Sequence, residues 1–309
     1  MQLGVQISRT DLVSHYEEAD YMIPQQIAAI MSENKNAVVT VLSADTDVFV
    51  LLCFHLWKYK WHSTKQQMDT FSDGKDKLIS ITNTVEAHKL EMKSLIGLHA
   101  LCGCDTVAMM FGIGKAKALK AVKDAPLSLL GEKDVDIEKV MQEATVFVSR
   151  CYGQCSAGSS EKRKTIYKRK TDSAKKSARP PALKSLPPTD EALKENIKRA
   201  HLTAALWKNC APGSLPPMSP CDYGWEKIEN VLILVMLPSN TQFAPDEVLN
   251  TTHCKGIKQK CSKSSKCSCV SIGVKCNPQL CACVDCENTQ KIALESDSDS
   301  ESEVESDVE

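Results

Sequence analysis

At 309 residues the chain has room for one large domain or two smaller ones, and an apolar fraction of 42% is enough to fill a packed core. The net charge of −1 hides segregation: residues 161–184 carry ten Lys or Arg against two acids, and residues 295–309 carry eight Asp or Glu and no base. There is no apolar signal core at the N-terminus, and the longest aliphatic run, Val231 to Leu237, is too short for a bilayer, so neither a membrane partner nor a disulfide framework is expected.

Residues 1–155 read as an α/β domain. Ile23, Ile27, Ile30 and Met31 recur at helical spacing, with Pro24 marking a helix start or a kink. Ala37 to Ala44 is β-branched and reads as a buried strand; Val48 to Trp57 is apolar throughout and reads as a buried helix. Leu78 to Thr82 is a second strand. Val85 to Leu101 is a helix with Leu90, Leu95, Leu98 and Leu101 inside. Alternation of strand and helix predicts a parallel sheet. Residues 156–188, rich in Ser, Lys, Arg and Pro, read as a basic disordered linker. Residues 189–250 form a helix-plus-strand connector: Thr189 caps a helix with Leu193, Ile197, Ala200, Ala204 and Trp207 on one face, and Val231 to Leu237 is a strand. A cysteine module fills 251–290, and 291–309 is an acidic disordered tail whose alternating Ser residues suit an acid-directed kinase.

The acids of the N-terminal half stand at informative places. Glu18 and Asp20 precede a helix, Asp45 and Asp47 follow a strand, and Asp105 follows a helix in Leu101-Cys-Gly-Cys-Asp105. In open α/β sheets ligands collect beyond the carboxyl ends of strands. Clustered carboxylates raise one another's pKa unless a cation sits among them, and Mg²⁺ or Mn²⁺ takes oxygen ligands and bridges to phosphate. Gly112-Ile-Gly114 opening a helix presents backbone N–H groups suited to a DNA phosphate, with Lys115 and Lys117 adding charge. Taken singly, each motif reads more readily as a turn, a helix cap or a helix-terminal charge; their order and spacing together reverse that reading.

In order, Glu18-Ala-Asp20, Ser43-Ala-Asp45-Thr-Asp47, Leu101-Cys-Gly-Cys-Asp105 and Gly112-Ile-Gly114 resemble the internal region of flap-endonuclease and PIN-like 5′-nucleases, over residues 14–124. The resemblance implies a parallel sheet flanked by helices, a helix-hairpin-helix that grips duplex backbone, and Glu18, Asp20, Asp45, Asp47 and Asp105 as the Mg²⁺ or Mn²⁺ set of a phosphodiesterase. The family's first strand, with its own metal aspartate, lies upstream of these motifs. The expectation is therefore an incomplete, inactive nuclease-like domain whose unpaired sheet edge invites a protein partner.

Eight of the fifteen cysteines fall between Cys254 and Cys286: Cys254, Cys261, Cys267, Cys269, Cys276, Cys281, Cys283 and Cys286. In a reducing compartment such crowding points to Zn²⁺. The order Cys267-Ser-Cys269, Cys276, Cys281-Ala-Cys283, Cys286-Glu-Asn288 is similar to the CXC domain of tesmin/TSO1-type proteins. That resemblance implies two or three zinc ions, some thiolates bridging two metals, and DNA binding. Gly256 stands where the second cysteine of the first pair would fall, which leaves either a lost site or His253 as the ligand. Lys255, Lys258, Lys260, Lys263, Lys266 and Lys275 decorate the module against Asp285 and Glu287, a charge balance suited to phosphate. A purely structural zinc knot is the competing reading.

The sequence thus points to a nuclear DNA-associated zinc protein, the nucleus being favoured by Arg163-Lys164 and Lys168-Arg169-Lys170. An active Mg²⁺-dependent structure-selective nuclease is the enzymatic alternative. A scaffold derived from a mobile element is the third.

Overall fold

The computed structural model describes residues 19–61, 66–72, 75–153, 163, 165–167, 185–211, 217–237, 254, 261, 267–272, 274–276, 281, 283 and 287–288. The chain divides into two compact units, one of residues 1–173 and 185–241, the other of 174–184 and 242–309. The secondary structure is mixed α and β.

Unit one opens with α1 (Ala19–Glu33), which runs through Pro24. Proline has no N–H to donate to the carbonyl four residues back, that of Asp20. Ile27 and Met31 are buried one turn apart. β1 (Val39–Leu42) is shorter than the predicted strand and alternates between half-buried and exposed rather than being buried; Leu42 is 72% exposed. The reason is its position: β1 lies at the edge of a sheet ordered β1-β2-β3. Among the described residues only β2 pairs with it.

α2 (Thr46–Tyr59) is apolar all round and accordingly buried, Val48 and Val50 through Leu56 included. Lys60, at φ 54, ends it in a left-handed cap. β2 (Gln66–Ser72) runs parallel to β1, and β3 (Lys75–Ser80) runs antiparallel to β2, with Ser72 opposite Lys75. The sheet is therefore mixed, not parallel. β2 escapes periodicity because Gln66, Gln67, Asp69 and Thr70 are polar; Met68 in it is deeply buried. α3 (Ile81–Ala87) starts where the predicted strand was to continue, since the Ser80 side chain caps it by accepting from the Asn83 N–H at 3.2 Å. The long helix expected up to Leu101 is broken at residues 88–91, and α4 spans Met92–Leu101. Leu90 sits in the break and is 93% exposed.

α5 (Lys115–Ala121) and α6 (Ile137–Cys151) follow, α6 capped by Asp136. α7 (Asp190–Asn209) is capped by Thr189, as expected. It is no separate connector: Leu193, Ile197, Ala200, Ala204 and Trp207 join the core that holds Leu51, Phe54, Ile96, Leu101 and Phe147. Ile166 is buried too, and Arg163 donates to the Pro187 carbonyl, so the linker expectation fails at these two residues. A second core gathers Ile27, Met31, Leu52, Leu56, Met68, Ile81 and Val85. α2 feeds both cores from opposite faces. At Gly131, φ is 85° and a Cβ would stand 2.8 Å from the Ala204 carbonyl carbon, so only glycine lets this turn meet α7.

A turn of 3₁₀ helix (Pro220–Asp222) leads to a hairpin of β4 (Trp225–Ile228) and β5 (Val231–Leu234). Its two-residue loop places Glu229 and Asn230 at positive φ. In unit two the described helix is α8 (Ser268–Ile272). Among the described residues no helix is long and apolar enough to cross a membrane.

Candidate functional site

Unit two brings the predicted sulfur ligands together. Cys254, Cys261, Cys267, Cys269, Cys276 and Cys281 are buried and Cys283 is half-buried; all are free thiols. Local backbone bonds place them. The Ser271 N–H donates to the Cys267 carbonyl at 2.9 Å and the Val274 N–H to the Cys269 carbonyl at 3.0 Å, so α8 and the turn after it set the spacing of Cys267, Cys269 and Cys276. Asn288 holds the far side: its carbonyl accepts from the Cys276 N–H at 2.8 Å, and its Nδ2 donates to the Cys276 Sγ at 3.4 Å and to the Val274 carbonyl at 3.0 Å.

The sulfurs themselves are spaced as metal ligands. Cys254 Sγ lies 3.9 Å from Cys276 Sγ and 3.6 Å from Cys283 Sγ; Cys267 Sγ lies 3.8 Å from Cys276 Sγ. A tetrahedron with Zn–S bonds of about 2.3 Å has edges of about 3.8 Å. Two sets of four meet the distance requirement of one ion, Cys254–Cys261–Cys267–Cys276 and Cys254–Cys276–Cys281–Cys283, with Cys254 and Cys276 common to both. Cys269 belongs to neither set but its Sγ is 3.6 Å from that of Cys281. The donor set therefore fits zinc. At Cys269, burial and then the neighbouring Cys281 push the thiol up to about 12. At Cys267 burial also opposes ionisation, but the Val270 N–H and the adjacent thiols outweigh it and lower the pKa. Cys286, His253, Lys255, Lys258, Lys260, Lys263 and Lys266 lie outside the described residues, as do Lys164, residues 168–170 and the acidic tail. Lys275 is exposed.

In unit one, carboxylate oxygens of Asp20, Asp45 and Asp47 converge within 4.8 Å of one another. Asp45 is the N-cap of α2 and accepts from the Asp47 N–H at 2.8 Å; Asp47 stands in the first turn of α2 and Asp20 in the first turn of α1. Glu18 lies outside the described residues. Asp105 is exposed on the loop after α4 and falls outside this convergence, but it lines a cavity of about 160 Å³ with Asp47.

Sequence reading missed the partner that this cluster already has. His99 on α4 is 4% exposed and its Nε2 lies 2.6 Å from Asp47 Oδ1. That bond holds the Asp47 carboxyl below the usual aspartate value, against the opposing effect of burial. The pair spans 52 residues of sequence, and no local pattern announces it. Lys115, expected at a DNA phosphate, is half-buried instead: its Nζ donates to the His99 and Gly103 carbonyls, both at 2.9 Å. Burial lowers its pKa, while Cys102 and then Asp47 act to raise it. Lys117 is exposed, 5.9 Å from the Tyr152 ring centroid, and Gly112 (φ 71°) and Gly114 are exposed on the loop that opens α5.

No family model, curated protein or solved structure matches this chain.

Proposed function

We propose that this chain is a zinc-bearing, DNA-associated protein of the nucleus. One observation carries the reading: six thiols fall in two sets of four whose sulfurs lie within 4.8 Å of one another and which share Cys254 and Cys276, with Cys254, Cys267 and Cys283 each at 3.6–3.9 Å from a set partner, near the edge length of a zinc–sulfur tetrahedron. Cys254, Cys261, Cys267, Cys276, Cys281 and Cys283 would hold the zinc, which would contribute folding energy to the module. The six lysines between Cys254 and Asn288, against Asp285 and Glu287, suit a phosphate backbone, as does the likeness of the cysteine order to CXC domains. The basic run Lys168-Arg169-Lys170 supports nuclear residence.

The test is fluorescence anisotropy of a labelled duplex with the full chain across a salt series. Binding is expected to weaken with a log–log slope of about −3.6 to −5.4, as four to six phosphate contacts require. A Cys281→Ser/Cys283→Ser chain should lose zinc and this binding together. Undiminished binding without zinc would move the activity to the basic linker and sink the reading.

A second reading rests on Asp20, Asp45 and Asp47: three converging carboxylates suit Mg²⁺ or Mn²⁺ in phosphodiester cleavage. His99, bonded to Asp47, competes with any such ion, which favours the inactive form of the domain. Flap and nicked DNA incubated with Mn²⁺ decides. Cleavage by the wild-type chain that Asp45→Ala/Asp47→Ala removes would establish the enzyme, and equal cleavage or none would end that reading.

A further inference from the structure

The cavity shared by Asp47 and Asp105 has a wall that no nuclease chemistry requires. Tyr21 from α1, Trp207 from α7, Trp225 from β4 and Leu232 from β5 line it, together with the two carboxylates. Its volume of about 160 Å³ exceeds by far the roughly 30 Å³ that one water occupies. No Lys, Arg or His lines it among the described residues. An anionic ligand would meet two carboxylates and no cation, so charge complementarity selects a positive ligand.

The hydrogen-bonding capacity of the wall narrows the choice. The hydroxyls of Thr106 and Thr203, both in the lining, are bonded to each other at 2.9 Å, and Asp47 Oδ1 is engaged by His99. The acceptors that remain are the Asp105 carboxylate and the second oxygen of Asp47, whereas Tyr21, Trp207 and Trp225 make much of the wall aromatic. A methylated ammonium spreads its charge over methyl groups, needs fewer acceptors or none, and is attracted by aromatic faces. We propose that this cavity binds a methylated ammonium head, whether of a free quaternary amine or of a methylated lysine side chain, with Tyr21, Trp207 and Trp225 around the methyls and Asp105 supplying the charge at the open side. The site lies wholly within unit one and does not depend on the thiolate cluster.

The experiment is titration calorimetry with tryptophan fluorescence on the full chain, without added Mg²⁺ or Mn²⁺. The probes are choline, its uncharged isostere 3,3-dimethyl-1-butanol, and trimethyllysine amide. Choline and trimethyllysine amide should bind and shift the emission, the isostere about tenfold more weakly. Asp105→Asn, at an exposed position that leaves the fold intact, should weaken the charged probes about fivefold and the isostere not at all. Trp225→Ala should abolish binding. The relative affinity of the two charged probes tells which source the site prefers. Equal binding of charged and neutral probes, indifference to Asp105→Asn, no binding, or tighter binding of a nucleoside monophosphate would overturn the assignment.

Discussion

The two overlapping sets of four sulfurs predict an asymmetry among single cysteine substitutions. Cys276 belongs to both sets and Cys261 to one. Structural zinc sites contribute about 10–16 kcal/mol, so each of four ligands carries about 3–4 kcal/mol, or a factor of about 10²–10³ in affinity. Cys276→Ser should weaken both ions by that factor and also orphan the Asn288 Nδ2 bond to sulfur. Cys261→Ser should weaken one ion and leave the Cys254–Cys276–Cys281–Cys283 set intact. The assay is zinc release to a chromophoric chelator of graded concentration, read as equivalents per chain. The account predicts one retained equivalent in Cys261→Ser under conditions where Cys276→Ser retains none. Equal loss from the two variants would refute the shared-sulfur geometry.

Other consequences concern unit one, which holds all four tryptophans, so its unfolding is read by their fluorescence. Gly131→Ala adds a Cβ at left-handed φ and 2.8 Å from the α7 backbone, and should cost about 2–5 kcal/mol in urea unfolding. Gly112→Ala, also at positive φ but in open space, should cost only about 1–2 kcal/mol; equal costs would contradict the close packing at Ala204. Burial holds His201 at about 4 and His55 at about 3, below their ordinary 6.5, and His201 Nδ1 accepts from the Gly131 N–H at 3.0 Å, which the protonated ring cannot do. Because the folded values are depressed, the unfolded state takes up protons first. Stability is full above pH 6.5 and falls on acidification toward pH 4, by about 1.4 kcal/mol per pH unit for each ring; a flat urea midpoint from pH 7 to 4.5 would rule this out. His99→Ala removes a bond to a charged group and should cost about 1.5–3 kcal/mol at pH 7. Asp47's depressed pKa stabilises the fold above the ordinary 3.8 and ceases to do so as pH falls through the folded value, so the difference between wild type and variant should shrink below about pH 4.

What the sequence revealed and what it hid follow from the range of each interaction. α7 was legible because Thr189 caps it and its apolar residues recur at helical spacing, both local signals. The strand β2 was not, since its polar residues break the alternation and its one clue, Asp73-Gly74 before Lys75, is a turn signal rather than a strand signal. β4 was hidden too: Glu229-Asn230 is not the usual glycine-bearing hairpin pair. The break before α4 was missed because Leu90 fits the helical period yet faces water. In the carboxylate cluster Asp45 and Asp47 announced themselves by spacing. His99, which reaches Asp47 across the fold, and Lys115, which turns inward to two carbonyls, are products of tertiary packing that no window of sequence contains. The aromatic wall of Trp207 and Trp225 belongs to the same class, since it is assembled from α7 and a hairpin far from the acids in sequence.

The central claim is that thiolates of unit two hold zinc, and X-ray absorption at the zinc edge of freshly isolated, full-length protein tests it most directly. The account predicts a first shell of about four sulfurs at about 2.3 Å with at least one equivalent of zinc per chain. A shell of nitrogen and oxygen, or a chain without zinc whose cysteines are joined as disulfides, would contradict it.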